Sequence, residues 1–204
     1  MVRVAVYVDG FNLYNGLHAK HGRKYLWLDL EAMSRSLLRP QQQLVGIKYF
    51  TARIRGDLAS LQRQSVYLDA LVTHCPLVAI VEGRFQKRVM RCWDCGVTRD
   101  RYVEKQTDAN IVASILVDAA RDRFDVALLV SADADLCSAL LGVRELYPNK
   151  KVIVAFPPRR NSAELKKLAD GFITIGDDKI RRAQLPDDVI VSPNVVLHRP
   201  KYWS

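Results

Sequence analysis

The chain has 204 residues, 49% of them apolar, which is enough for one substantial buried core and sits at the upper end of a single domain. Lys and Arg outnumber Asp and Glu by 31 to 22, and the resulting +9 favours a polyanionic partner over a cationic one without identifying it. The apolar run Val4 to Val8 is too short for a signal segment, and no stretch approaches the roughly 18 uninterrupted apolar residues of a membrane span, so a cytoplasmic protein without a membrane partner is expected. Four cysteines, at 75, 92, 95 and 137, are too few and too unevenly spaced for a disulfide framework, and reduced thiols are the default.

Val4 to Val8 reads as a buried strand ending in Asp9-Gly10, and Phe11 to Tyr14 then opens a helix. Asp29 is the N-cap expected of a helix through Leu37, which Pro40 helps to end. Leu44 to Ile54 is a second β-rich run, Asp57 to His74 a long helix, and Leu77 to Phe85 a third strand. The stretch Gln86 to Tyr102 is polar, basic and cysteine-bearing, as in an extended loop or hairpin. Ile111, Val112, Ile115, Leu116 and Ala119 fall on one helical face, with Thr107 or Asp108 near its start. Asp125 to Val130 is a further strand, Ser131 to Asp135 a polar turn, and Leu136 to Val143 a helix. The step repeats with the strand Lys151 to Phe156, the turn Pro157-Pro158, the helix Ser162 to Ala169 and a short strand, Phe172 to Ile175. Beyond Gly176 only Val189 to Val191 has clear β character.

Apolar runs alternating with amphipathic helices predict an α/β fold built on a parallel sheet covered on both faces. Ligands of such sheets lie beyond the carboxyl ends of the strands, and that is where Asp9, Asp133 and Asp135 fall. Carboxylates gathered at one rim repel each other unless a cation compensates them. Oxygen-only donors select a hard ion such as Mg²⁺ or Mn²⁺, and an ion of that kind can activate water against a phosphodiester. Plainer roles stand beside this one: Asp9 as a turn residue, Asp108 as a helix N-cap, Asp133 or Asp135 as a cap of the following helix, and Asn12 bonded locally to its own turn.

Three linked stretches, Val8-Asp9-Gly10-Phe11-Asn12-Leu13-Tyr14, Glu104-Lys105-Gln106-Thr107-Asp108, and Leu129 to Asp135 followed by Lys151-Val152-Ile153-Val154, resemble the NYN domain of LabA-like bacterial proteins in the PIN-like nuclease superfamily. The resemblance spans roughly residues 3 to 175. It implies a three-layer α/β/α Rossmann-like fold with a mostly parallel central sheet, and a metal-dependent ribonuclease with Asp9, Asp108, Asp133 and Asp135 as its catalytic and metal-ligating positions. Asn12, Lys105 and Ser131 are candidates for substrate contact. On this reading residues 1–178 form the domain, about 84–103 a basic cysteine-containing hairpin insert, and 179–204 a C-terminal extension. The chain departs from the family pattern in two places: Ser131-Ala132-Asp133-Ala134-Asp135 stands where Ser-Gly-Asp-Ser-Asp is usual, and Ser114 stands where a further Asp is often found. Asp118, ten residues beyond Asp108, faces elsewhere on the helix.

Cys92 and Cys95 have the form of half a zinc knuckle. A tetrahedral site needs two more ligands, for which His74 and Cys75 are the candidates, and two free thiols in a surface hairpin remain the leading reading. Arg84, Arg88 and Arg91, with Lys87, Arg99 and Arg101, are interleaved with Phe85, Trp93 and Tyr102, the pattern of a surface for single-stranded RNA; a solvated hairpin without a ligand is the alternative. Arg159-Arg160 and Lys166-Lys167 form a weaker basic cluster. No Gly-rich dinucleotide fingerprint, phosphate-loop Lys, Gly-x-Ser-x-Gly elbow or metal-spaced His pair is found. Two functions therefore stay in view: a metal-dependent ribonuclease acting on single-stranded RNA, and an RNA-binding or regulatory adaptor of the same fold without turnover. Monomer and homo-oligomer both remain open.

Overall fold

The computed structural model describes residues 1–91, 96 and 98–203, and for 84–91 and 99–105 the backbone alone. Six strands form the central sheet: β1 (Val2–Asp9), β2 (Gln42–Thr51), β3 (Val78–Glu82), β6 (Val126–Val130), β7 (Lys151–Phe156) and β8 (Gly171–Thr174). Their order is β3-β2-β1-β6-β7-β8, and every neighbouring pair is parallel. The chain builds outward from β1 in one direction and from β6 in the other, so the sheet reverses its winding between these two strands. A crevice opens at such a reversal, beyond the carboxyl ends of the strands.

Period-2 alternation divides β1 between two cores. Val4, Val6 and Val8 face α1 (Gly10–His21), α2 (Leu30–Leu37) and α3 (Leu58–His74), joining Leu13, Leu17, Met33, Leu68 and Leu71. Ala5 and Tyr7 face α4 (Thr107–Ala120), α5 (Cys137–Leu146) and α6 (Ala163–Leu168), joining Ile111, Ile115, Leu140, Val143 and Leu165. The expected three-layer α/β/α architecture is therefore present, with near-continuous apolar strands because both faces are covered.

The expected caps form where short polar side chains meet free helix N–H groups. Asp29 accepts from Ala32 N at 2.8 Å, Asp57 from Ala59 N and Ser60 N, and Ser162 from Leu165 N. Asp108 is not a cap: Gln106, in the left-handed region at φ 80°, takes that position, and Asp108 lies in the first turn of α4. The single strand expected over Leu77 to Phe85 is broken at Gly83, whose N–H makes the last bond to β2, donating to Thr51 O at 2.7 Å. The chain then leaves the sheet as the antiparallel ribbon of β4 (Arg84–Arg91) and β5 (Thr98–Lys105). Its register sets Arg84 opposite Lys105 and Arg88 opposite Arg101.

After β8 the chain adds α7 (Asp177–Arg182) and the ribbon of β9 (Asp188–Ser192) and β10 (Val195–His198), none of which but β9 has a clear sequence signal. This segment is packed into the α1–α3 core through Ile180, Leu185, Val189 and Trp203. Trp27 joins it from the other side, fully buried, with its indole N–H donating to Pro186 O at 2.8 Å and its ring tilted against Tyr67 and Trp203.

At the opposite end of the sheet, Arg3 grips Asp125 with its side chain at 2.7 Å and its backbone N–H at 2.7 Å. These bonds hold the Asp125 carboxyl down at about 2 from 3.8. A depressed carboxylate stabilises the fold above its unfolded value, and this contribution is lost as pH falls from 3.8 through 2. Asp125→Asn is therefore expected to lower stability at pH 7, by no more than about 1 kcal/mol because solvent screens a partly exposed pair. The deficit should vanish near pH 2, as denaturant melts at the two pH values will show.

Candidate active site at the sheet reversal

Val8 of β1 pairs with Val130 of β6, so the next residues, Asp9 and Ser131, leave adjacent strand ends together. Asp9 is 4% exposed and Ser131 fully buried. The Ser131 hydroxyl donates to Asp9 Oδ2 at 2.8 Å, while Asp9 Oδ1 accepts from Asn12 N at 3.0 Å as the N-cap of α1. A buried carboxylate is costly unless hydrogen-bonded, and here a hydroxyl, a backbone amide and the positive end of a helix all face it. Asn12 reaches across the reversal, its Oδ1 accepting from Ala132 N at 3.1 Å. Ser131 Oγ in turn accepts from Asp133 N at 3.1 Å, and Asp133 Oδ1 accepts from Asp135 N at 3.0 Å, closing the 3-10 turn Ala134–Leu136.

Four residues singled out in the sequence, Asp9, Asn12, Ser131 and Asp133, are thus one hydrogen-bonded chain. Asn12 bridges two elements as well as standing in its own turn, and Asp133 does act as a cap of the following turn. Asp135 lies exposed on the 3-10 turn beside it. Chain order sets Asp108 toward the same rim: α4 follows the ribbon that leaves the carboxyl end of β3 and leads into the start of β6, so its first turn belongs to the carboxyl-end side of the sheet. Asp118, in its last turn about 15 Å away along the axis, is locked elsewhere. It accepts from the Tyr7 hydroxyl at 2.9 Å and pairs with Lys48 at 2.6 Å and Arg123 at 3.2 Å. Burial, then the Asp118 charge, holds the Tyr7 hydroxyl well above its ordinary range. Ser114 lies half-buried on α4.

One acidic neighbour had no sequence signal of its own. The thiol of Cys137, half-buried on α5, is pushed up by burial and then by Glu164, Asp133 and Asp135, so each of these carboxylates lies within electrostatic reach of it. Glu164 opens α6, just beyond the end of β7, and accepts from the Ser162 hydroxyl at 3.1 Å. The only guide to it in the sequence is that every helix following a parallel strand starts at this rim. The exposed pair Arg159 and Arg160 stands on the same β7 to α6 connection, where Pro157, Pro158 and Arg160 close on Gly16 of α1 so tightly that a Cβ there would meet Pro158 O at 2.7 Å.

Cys92 and Cys95 lie outside the described residues, as do the side chains of Arg84, Arg88, Arg91 and Lys105. Cys75 is buried, its thiol donates to Asp29 Oδ1 at 3.3 Å, and burial with the Asp29 charge pushes it up to about 12. A thiol so held is a poor zinc ligand. Among the described residues no three His, Cys, Asp or Glu side chains converge closely enough to hold a metal ion by themselves. The rim's charged donors are nonetheless carboxylate oxygens, and Mg²⁺ is commonly bound through one or two of these, with waters and substrate phosphate completing the shell.

A parallel sheet with a buried strand-end carboxylate at its reversal, and further acids on the next loops, defines a PIN-like, nuclease-type fold. The chain belongs to the NYN domain family, whose model matches residues 3–176. It is 26% identical over 176 residues to 6-hydroxy-3-succinoylpyridine 3-monooxygenase HspA of Pseudomonas putida, an alignment covering 70% of this chain and only 56% of that relative. A solved structure of a protein of unknown function from Vibrio parahaemolyticus, VPA0982, shares the fold with a TM-score of 0.56 at 23% identity, covering 87% of this chain and 94% of the other.

Proposed function

We propose that the chain is a Mg²⁺- or Mn²⁺-dependent ribonuclease that hydrolyses phosphodiester bonds of single-stranded RNA at the acidic rim of the sheet. The observation that carries this reading is the buried Asp9 at the reversal, bonded through Ser131 to the loop that bears Asp133. Asp9, Asp108, Asp133 and Asp135 are the carboxylates of which one or two would meet the ion directly, the others acting through its waters and, with Glu164, adding negative potential at the edge. When bound, such an ion supplies an acidified water and neutralises charge on the phosphate and the leaving oxygen. Asp9, fixed by two donors, keeps one carboxylate in a set place without reorganisation, and Ser131 couples its position to that of Asp133. Arg159 and Arg160, exposed on the neighbouring loop, attract the phosphates on either side, and the basic β4–β5 ribbon extends the track.

Ser131→Ala removes the shared hydroxyl without touching a charge. Its expected effect is a fall in kcat of about 10- to 100-fold with RNA affinity unchanged, and a higher Mn²⁺ concentration for half-maximal rate. Steady-state kinetics at several Mn²⁺ concentrations reads both.

The adaptor reading keeps one specific support, the absence of a ready three-ligand cage among the described residues. Incubation of labelled single-stranded RNA with the wild-type chain in Mg²⁺, in Mn²⁺ and in chelator separates the two. Cutting that appears only with metal supports hydrolysis, and RNA held but uncut in every buffer assigns the chain to the adaptor class.

A further inference from the structure

Around the strand ends from Asp9, on the α1–α3 face, lies a cavity of about 500 Å³. Its wall includes the rings of Tyr49, Tyr67, Tyr202 and Trp203 and the guanidiniums of Arg23 and Arg63. The volume is within the roughly 300–1,000 Å³ usual for a site that takes an organic ligand. We infer that this cavity seats one unpaired base of the RNA strand, next to the phosphodiester presented to Asp9; the inference rests on RNA being the substrate of that rim.

Two observations favour a base. Gly10 belongs to both places: it follows Asp9, lines the cavity, and is so tightly set that a Cβ on it would meet Phe50 O at 2.5 Å and the Tyr49 ring at 2.9 Å. The residue after the aspartate is thus part of the cavity wall, so the two places adjoin at one strand end. Tyr202, 50% exposed, has Arg23 at 3.6 Å and Arg63 at 4.6 Å from its ring centre, which puts flat aromatic and cationic groups together at one point of the wall. Stacking on such groups is how single-stranded RNA is held without pairing. Tyr202 and Trp203 also lie beyond the residues that match the family, so the extension completes a wall that the family domain alone does not supply.

The test is titration of the four 5′-nucleoside monophosphates into the full chain in chelator, followed by tryptophan fluorescence and calorimetry. Saturable binding is expected, weakened about 5- to 100-fold by Tyr202→Ala and by Arg63→Ala and retained by Tyr202→Phe. Because Tyr202 is half exposed, thermal melts of Tyr202→Ala should match wild type, and Tyr202→Phe keeps the experiment decisive if they do not. No nucleotide binding, or equal binding by all variants, overturns the inference. Saturation by 6-hydroxy-3-succinoylpyridine that nucleotides fail to displace also overturns it, assigning the cavity to a small aromatic acid. Nucleotide binding lost in Tyr202→Ala from a chain that cuts no RNA leaves this site standing and removes only the hydrolytic reading.

Discussion

Asp9→Asn is expected to reduce cleavage of single-stranded RNA by at least about 100-fold, the upper end of what removing a mere supporting group costs at a metal site. The fold should survive the change. Asn is as good an N-cap as Asp, so its side-chain oxygen can still accept from Asn12 N, and the strand end remains closed. What disappears is the acceptor of the Ser131 hydroxyl and the negative charge, and with the charge the reason for a cation to sit at the reversal. RNA affinity measured in chelator should stay within a few-fold of wild type, since the basic groups that meet phosphate lie on other elements. Cleavage kinetics beside a thermal melt checks both halves: a variant that cuts normally removes Asp9 from the chemistry, and one that unfolds returns it to a turn and cap.

The largest expected loss of stability is at Trp27. Trp27→Ala removes a fully buried indole, its hydrogen bond to Pro186 O and its contacts with Tyr67 and Trp203, for about 3–5 kcal/mol. The backbone of the same residue also accepts from Leu185 N at 3.0 Å, so this position joins the segment before α2 to the chain after α7. Urea unfolding measures the cost. A loss below about 1 kcal/mol would mean that the C-terminal segment contributes little to the core, and would weaken its role as a cavity wall.

The parallel strands and most helix starts were legible because each rests on local chemistry: β-branched runs for strands buried on both faces, and Asp29, Asp57 and Ser162 in front of amphipathic stretches. The rim was legible for the same reason, since carboxylates that follow strands of a parallel sheet must share an end. What escaped depends on neighbours far away in the chain. The end of β3 at Glu82, where its pairing with Thr51 of β2 stops, has no local marker but Gly83, and a six-residue helix of mostly charged residues with one buried side chain, Ile180, has no periodicity to read. Asp108 was a reasonable cap until Gln106 took a left-handed conformation that nothing in a glutamine announces. Glu164 looks like an ordinary residue of a first turn, and its place beside Cys137 exists only once α6 packs against α5. The cavity draws Tyr49 from β2, Tyr67 from α3 and Trp203 from the 3-10 turn Lys201–Trp203, and their rings meet only once α3 and the C-terminal segment have packed together.

The central claim is that the acidic rim hydrolyses RNA, and the most direct test is single-turnover cleavage of a labelled single-stranded RNA by wild type and Asp133→Asn, each in Mg²⁺, in Mn²⁺ and in chelator. Metal-dependent cutting by the wild type that is lost in the variant, with RNA binding intact, is the predicted result. Cutting that persists in Asp133→Asn or in chelator, or RNA bound and never cut by the wild type, would contradict it.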